Sequence, residues 1–471
     1  MKKWKKYLLA FFSVFLFLQP ALQARAEVPY KTYTIDGYGY VTETQTAYTP
    51  KATFSKIGDR SLVSPMDLKV TEDGYVYIAD AGAGVVYVST LEGEYVKTIG
   101  EGELSEPYGV FVTENRDVYV ADHSGKVVVF DDSGAVIAVY TRPDHPLYGS
   151  GEFKPVKIVV NAGGDMYIVC EGNSNGLGQL TPTEGGTFLG YFGTNYASVT
   201  VLRMIQEAVF TDEQLARMVS NLPATPVNVA IDRQGLIYTV TPGEGQTSLK
   251  KLNIAGSNLI EPDAYDGKEA AVAVGNHDNV FVASSDGYIY EYNSEGDLLF
   301  VFGGRDDGRF RIGLSKKVEA IDVDARDNIY ILDSDAGQVQ VFEATEFTNL
   351  LHSALNLYEN GRYTESKEPL EKVLEMNSLF DYANEAMSRS YLQEEDYEQA
   401  LKYARVSKAF SVYSDSFWEV RNAWLRNHLI SAVGIILLAC ILIWALKKLH
   451  RKKGIFNPVI KATEKPRNSG Y

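Results

Sequence analysis

A proline stands twelve residues before a tyrosine four times along this chain, in Pro65/Tyr77, Pro107/Tyr119, Pro155/Tyr167 and Pro226/Tyr238. Two further segments carry the same strand pattern without the proline and end on Phe281 and Tyr330. Each unit alternates β-branched and aromatic residues between turn formers, as in Gly74-Tyr75-Val76-Tyr77-Ile78-Ala79-Asp80 and Asp117-Val118-Tyr119-Val120-Ala121-Asp122. A second strand follows in each (85–88, 127–130), and the unit closes on an apolar residue before glycine, as in Ile99-Gly100 and Phe302-Gly303. Four short strands repeating with a period of about 40 to 50 residues predict the blades of a six-bladed β-propeller and exclude a helical array over this region. Residues 30–54 hold strand-like alternation without a complete unit, and are expected to supply the outer strand or strands that complete the last blade, leaving no open sheet edge.

The two ends of the chain have a different character. Lys2, Lys3, Lys5 and Lys6, an apolar core over 8–18 and Ala24-Arg25-Ala26 read as a secretory signal peptide over 1–26, an uncleaved anchor being the alternative. The stretch 429–446 has 18 residues without a charge and would span about 27 Å as a helix, enough to cross a bilayer. Trp424 and Trp444 stand near its ends, and Lys447, Lys448, Arg451, Lys452 and Lys453 follow it, which predicts a cytoplasmic basic tail over 447–471 and everything before the span outside the cell membrane.

The charge divides accordingly. Of 45 Lys and Arg, 13 lie in 1–26 and 447–471; of 61 Asp and Glu, one does, so residues 27–446 carry 32 − 60 = −28. Such a surface repels nucleic-acid phosphates. The two cysteines, Cys170 and Cys440, are placed too differently to pair, and an exported chain without disulfides suggests a bacterial envelope.

The segment Phe302-Gly303-Gly304, Gly308-Arg309-Phe310, Ile321-Asp322-Val323, 327–333 and 338–342 resembles the NHL repeat, and 57–140 carry two more good copies. The resemblance covers roughly 30–345, with the third to fifth units weaker, and implies a six-bladed propeller domain over 27–346. The basic residue that the family carries before its second strand pair is replaced around Gly82-Ala83-Gly84 and Gly337-Gln338, leaving Lys126 in a comparable place. That departure and the negative charge argue against the RNA binding of some NHL propellers.

Between the third and fourth units the spacing stretches. Leu202, Ile205, Val209, Leu215, Met218 and Val219 recur at helical spacing, predicting a helical insertion at about 199–221, either a loop packed on the rim or a lid over the channel. After Phe342 the pattern becomes helical: Leu357, Gly361, Tyr363, Ser366 and Leu370 are matched 34 residues on by Tyr391, Glu395, Tyr397, Ala400 and Ala404. This resembles two tetratricopeptide units, 347–380 and 381–410, within a helical region 347–427 whose last helix, about 414–427, leads into the membrane.

No His-Glu-x-x-His, phosphate loop or zinc-spaced Cys/His set occurs in the sequence. His123, His145 and His277 read as isolated turn or surface histidines, and 322–328 as a hairpin turn instead of a calcium loop. Near the start of the innermost strands stand Asp67, Lys157, Asn228 and, in the sixth unit, Glu319. Asp67, Asn228 and Glu319 are candidate ligands for calcium or another divalent metal at the channel mouth, with Lys157 an unfavourable neighbour for a cation. The sequence therefore predicts a membrane-anchored, non-enzymatic envelope protein presenting propeller and helical repeats to a protein partner, such as a transporter or glycan-processing assembly. The alternative is a metal-dependent lactonase or sugar-ester hydrolase, whose propellers share this architecture; a third reading is a receptor whose signal passes through a membrane partner.

Overall fold

The computed structural model describes residues 28–195, 223–243, 248–262 and 266–453; the expected signal peptide, the insertion at about 199–221 and the tail after 453 lie outside them. Six antiparallel sheets form the blades of a propeller. Their innermost strands are Pro65–Val70, Pro107–Val112, Pro155–Val160, Asn228–Ile231, Glu269–Val274 and Val318–Val323, and each touches the innermost strand of the next blade around a closed ring, the sixth returning to the first.

The repeated proline has a structural reason. In the first three blades it opens the innermost strand, and the pairing register shifts between Pro65 and Asp67, Pro107 and Gly109, and Pro155 and Lys157. A bulge at the first residue of a strand is a place where the missing N–H of proline removes no ladder bond. The aspartates that end the second strands are equally structural. Asp80 accepts from the backbone N–H of Val63, Ser64 and Ala83; Asp122 from Ser105, Glu106 and Ser124; Asp333 from Lys316, Lys317 and Ala336. Each carboxylate thus fixes the connection that enters its own blade. Burial works against the charge on Asp122, but these N–H groups outweigh it and hold its carboxyl below the usual range.

The core is a ring of apolar clusters between successive blades. Tyr77, Val88, Val110 and Phe130 join blades one and two; Val127, Tyr140, Ile158 and Ile168 join two and three; Leu68, Ile78, Tyr330 and Val341 join six and one. The aromatic marks of the repeat are therefore wedges that fill the space between twisted sheets. Cys170 lies in one of these clusters, and burial pushes its thiol up to about 12.

Two blades depart from the expected four strands. Among the described residues blade four has three, Asn228–Ile231, Ile237–Val240 and Leu249–Leu252; beside the last of them Asn258 forms an isolated bridge with Leu252, and its side chain accepts from Lys251 N at 2.9 Å. The N-terminal segment completes two blades instead of one. Tyr48–Phe54 pairs with Gln338–Ala344 as the fourth strand of blade six, as expected, whereas the hairpin Thr32–Ile35/Val41–Thr44 adds to blade five through Tyr33 and Val301. Asp36 forms that hairpin's turn by accepting from Tyr38 N and Tyr40 N, so the strands before and after it both belong to blade five, and the segment passes to blade six only between Thr44 and Tyr48.

The chain divides into two compact units near Ala383. The first contains the propeller and helices α1 (Glu346–Glu359) and α2 (Tyr363–Met376). Helix α1 docks on the blade-five side. Phe347 packs in a ring triad with Phe300 and Phe380, Thr348 donates to Ala47 O, and His352 meets Glu291 at 2.5 Å. Glu291 is fully buried and also accepts from Tyr48 Oη (2.9 Å) and Asn279 Nδ2 (2.7 Å). Burial presses the His352 pKa down, but the Glu291 charge and hydrogen bond, with Asp327 beyond, raise it above its ordinary value.

Helix α3 (Asp381–Gln393) spans the division, and the second unit continues with α4 (Tyr397–Val406) and α5 (Phe410–Lys453). Helices α4 and α5 meet through Ala404, Ala409 and Val412. The expected helix at about 414–427 and the apolar span form one continuous helix of 44 residues, about 66 Å long. Nothing breaks it: 410–453 contains no proline and only Gly434. Its apolar stretch is exposed along its length, Ile430 by 88%, which is the surface expected of a helix whose solvent is lipid.

Candidate functional site

In blades one and three the side chain that follows the bulge of the innermost strand lines the channel, and in blade four the first residue of the strand does. Asp67, Lys157 and Asn228 line one cavity there, of about 70 Å³, together with Lys69 and Asp322 from further along the strands. Lys157 extends from blade three to blades one and six. Its Nζ lies 2.6 Å from Asp67 Oδ1, 2.8 Å from Met66 O and 3.5 Å from Glu319 O. An ammonium ion thus sits on the channel axis, coordinated by a carboxylate and two carbonyl oxygens. The second Asp67 oxygen accepts from Val110 N in blade two at 2.9 Å. Asp322 repeats the device, receiving Lys69 Nζ at 2.8 Å and Val70 N at 2.7 Å and tying blade six to blade one.

Burial raises the Asp67 pKa, with a smaller contribution from Asp322, and Lys157 and Val110 oppose the rise without cancelling it. A charge in such a place depends on its partner. Gly109, which takes the equivalent position in blade two, leaves the space that Lys157 uses. A Cβ there would lie 2.7 Å from Val156 O and 2.9 Å from Lys157 Cα, both backbone atoms that cannot swing away. Gly109→Val is expected to destabilise the propeller by about 1–3 kcal/mol, read as a lowered melting temperature, by forcing blades two and three apart.

At the mouth of the channel, His123 stacks on Tyr108 with ring centroids 4.6 Å apart. Its Nδ1 lies 3.1 Å from Glu106 Oε2 and its Nε2 2.5 Å from Glu171 Oε2. Partial burial raises the Tyr108 phenol, and Glu106, Glu171 and Glu319 add to the effect. The mouth therefore presents an imidazole clamped between carboxylates, suited to a ligand that brings hydrogen-bond donors or positive charge.

Among the candidates read from the sequence, Asp67 and Asn228 share the cavity, with Asn228 Oδ1 accepting from Val229 N at 2.8 Å. Glu319 does not join them: its carboxylate pairs with Lys317 at the mouth. The sixth-blade residue in register with Asp67 is Ala320, and a one-residue shift along a strand reverses the side chain's direction. The His123 cluster escaped the sequence because its members lie in three connections. The signal was positional: His123 follows the Asp122 strand end, and Glu171 follows the equivalent Cys170.

No protein-family model and no curated protein sequence matches the chain. Solved structures similar to it include a virginiamycin B lyase from Staphylococcus aureus, 14% identical, covering 65% of this chain and 86% of that one at a TM-score of 0.39. A streptogramin B lyase structure is also 14% identical, covering 67% and 87% at 0.39. A catalytically inactive form of the staphylococcal enzyme, solved with quinupristin, is 13% identical over 64% and 84%, also at 0.39.

Proposed function

We propose that this protein is a membrane-anchored envelope component whose propeller, held outside the cell by α5, binds a protein partner through its mouth and rim, without catalysis of its own. The observation that carries the reading is the channel axis. The Lys157 ammonium stands among the oxygens that a metal-dependent hydrolase would direct at its ion, and the cavity beside it is small. Recognition then falls to the exposed surfaces, among them the mouth where His123 is clamped between Glu106 and Glu171. The helical region, read as two tetratricopeptide units, supplies a second binding surface, and the partner is a membrane complex such as a transporter. Cross-linking in the native membrane followed by mass spectrometry is expected to recover one reproducible partner, and recovery of none would overturn the reading. Divalent-metal-dependent turnover of a lactone panel would favour the hydrolase instead.

The anchor has its own test. Leu437 and Leu438 lie midway along the apolar span, where each Leu→Arg change disfavours insertion by about 3–4 kcal/mol. The full chain is expected to resist carbonate extraction from membranes, and the Leu437→Arg, Leu438→Arg double variant to be released. Equal retention of both forms would contradict anchoring through this helix.

A further inference from the structure

We propose that His277, Asp327 and His352 bind a first-row divalent metal ion of the Zn²⁺ type, between the turns of blades five and six and helix α1. His277 belongs to the turn between Glu269–Val274 and Val280–Ser284, and Asp327 to the matching turn of blade six, where it takes a left-handed φ of 61°. His352 reaches the same place from α1. One donor atom from each residue lies within 4.8 Å of the other two, and His277 Nε2 is 3.3 Å from Asp327 Oδ2. Two imidazoles and one carboxylate are the donor set that favours zinc and its neighbours over calcium or magnesium.

What points to an ion, beyond this proximity, is an orphaned nitrogen. Glu291 engages His352 Nε2, so the nitrogen left to serve as a ligand is Nδ1, which is buried and has no hydrogen-bond partner among the described residues. Whether Nδ1 carries a proton or a lone pair, leaving it unmatched inside a protein is costly, and ion pairing of His352 with Glu291 does not relieve it. A metal ion accepts that lone pair. The surroundings are built accordingly. Glu291, held by Tyr48 and Asn279, would fix the His352 tautomer with Nε2–H toward the carboxylate and Nδ1 toward the ion, the usual carboxylate-histidine-metal relation. Asn276 Nδ2 donates to Asp327 Oδ1 at 2.8 Å and leaves Oδ2 on the His277 side. His277 also lines a cavity of about 320 Å³ with Lys251, Asn356 and Glu359, which gives the ion a path in and leaves a coordination position for water. Such an ion would join α1 to two blades.

The test uses the full chain in detergent, stripped with a chelator and titrated with Zn²⁺ against a chromophoric competitor. One ion per chain is expected. His277→Ala and Asp327→Asn are each expected to weaken binding about 100-fold or more, and Glu291→Gln about 10–100-fold through the His352 tautomer. Co²⁺ in place of Zn²⁺ should give the absorption of a tetrahedral nitrogen-oxygen site, lost in His277→Ala. His277 is partly exposed, so its variant is expected to melt as the chelator-stripped wild type does, which separates lost binding from lost folding. The proposal is overturned by the absence of stoichiometric binding, by binding unchanged in His277→Ala, or by binding lost in His123→Ala, which would move the ion to the mouth cluster.

Discussion

A Lys157→Met protein is expected to lose about 3–5 kcal/mol of stability, because the change leaves the Asp67 carboxylate buried on the channel axis without its counter-ion. Both side chains are nearly inaccessible, 11% and 12% exposed, so water cannot take the place of the ammonium. The loss belongs to the stranded charge and not to the contact, so Asp67→Asn combined with Lys157→Met should recover most of it. The effect also has a pH signature. Burial already raises the folded-state pKa of Asp67 above its unfolded value near 3.8. A group raised in this way contributes stability that is complete below the unfolded value and is lost as pH rises through the folded one. Removing Lys157 raises the folded value further, so the deficit against wild type should be small in acid and grow as pH rises through the shifted value. Melting temperatures of the wild type and both variants from acid to neutral pH test this. A single variant that melts with the wild type at neutral pH, as Lys51→Met at the exposed Lys51/Glu343 pair is expected to do, would show that the channel pair is solvated.

The features of this fold that were legible in the sequence are those that repeat. Proline at the bulge and the aromatic wedge at Tyr77, Tyr119, Tyr167 and Tyr238 appear as a period because each blade solves the same packing problem. The shared channel position of Asp67 and Asn228 was legible for the same reason, and Lys157 was recognisable as a disturbance to any cation there. Features that depend on one blade alone were not. The Asn258 bridge beside the last strand of blade four, the Asp36 turn that keeps both strands of its hairpin in blade five, and Glu319 pointing to Lys317 each follow from a local hydrogen bond or a one-residue register shift that no period records. The meeting of His277, Asp327 and His352 is further from view still. Two of the three sit in turns whose flanking strands give no hint of them, and the third arrives on a helix after the repeats have ended.

Glu291→Ala should be the most damaging single change outside the channel, at about 3–5 kcal/mol, because this carboxylate is the shared acceptor of three elements that come from distant parts of the chain. Tyr48 brings the N-terminal strand, Asn279 the end of a turn in blade five, and His352 the helix α1. Truncation leaves the Tyr48 hydroxyl, the Asn279 amide and the His352 ring nitrogen inside a protein that offers them no replacement, since Tyr48, Asn279 and His352 are themselves at most 3% exposed. Tyr48→Phe removes one of these bonds and keeps the stacking on Phe302 at 4.5 Å, so it should cost about 1.5–3 kcal/mol as the loss of a hydrogen bond to a charged group. Location gives the larger loss a regional signature. With its central polar anchor gone, α1 retains Phe347 and Thr348 at one end and, at the other, only the exposed polar contacts of Asn356 with His277 and Glu359 with Ser294. Hydrogen exchange over 346–359 is therefore expected to accelerate in Glu291→Ala well before that of the blade-one strands, which do not touch this cluster. Uniform acceleration in both regions would mean that α1 and the propeller unfold as one cooperative body, and unchanged exchange in α1 would mean that its other contacts hold it without Glu291.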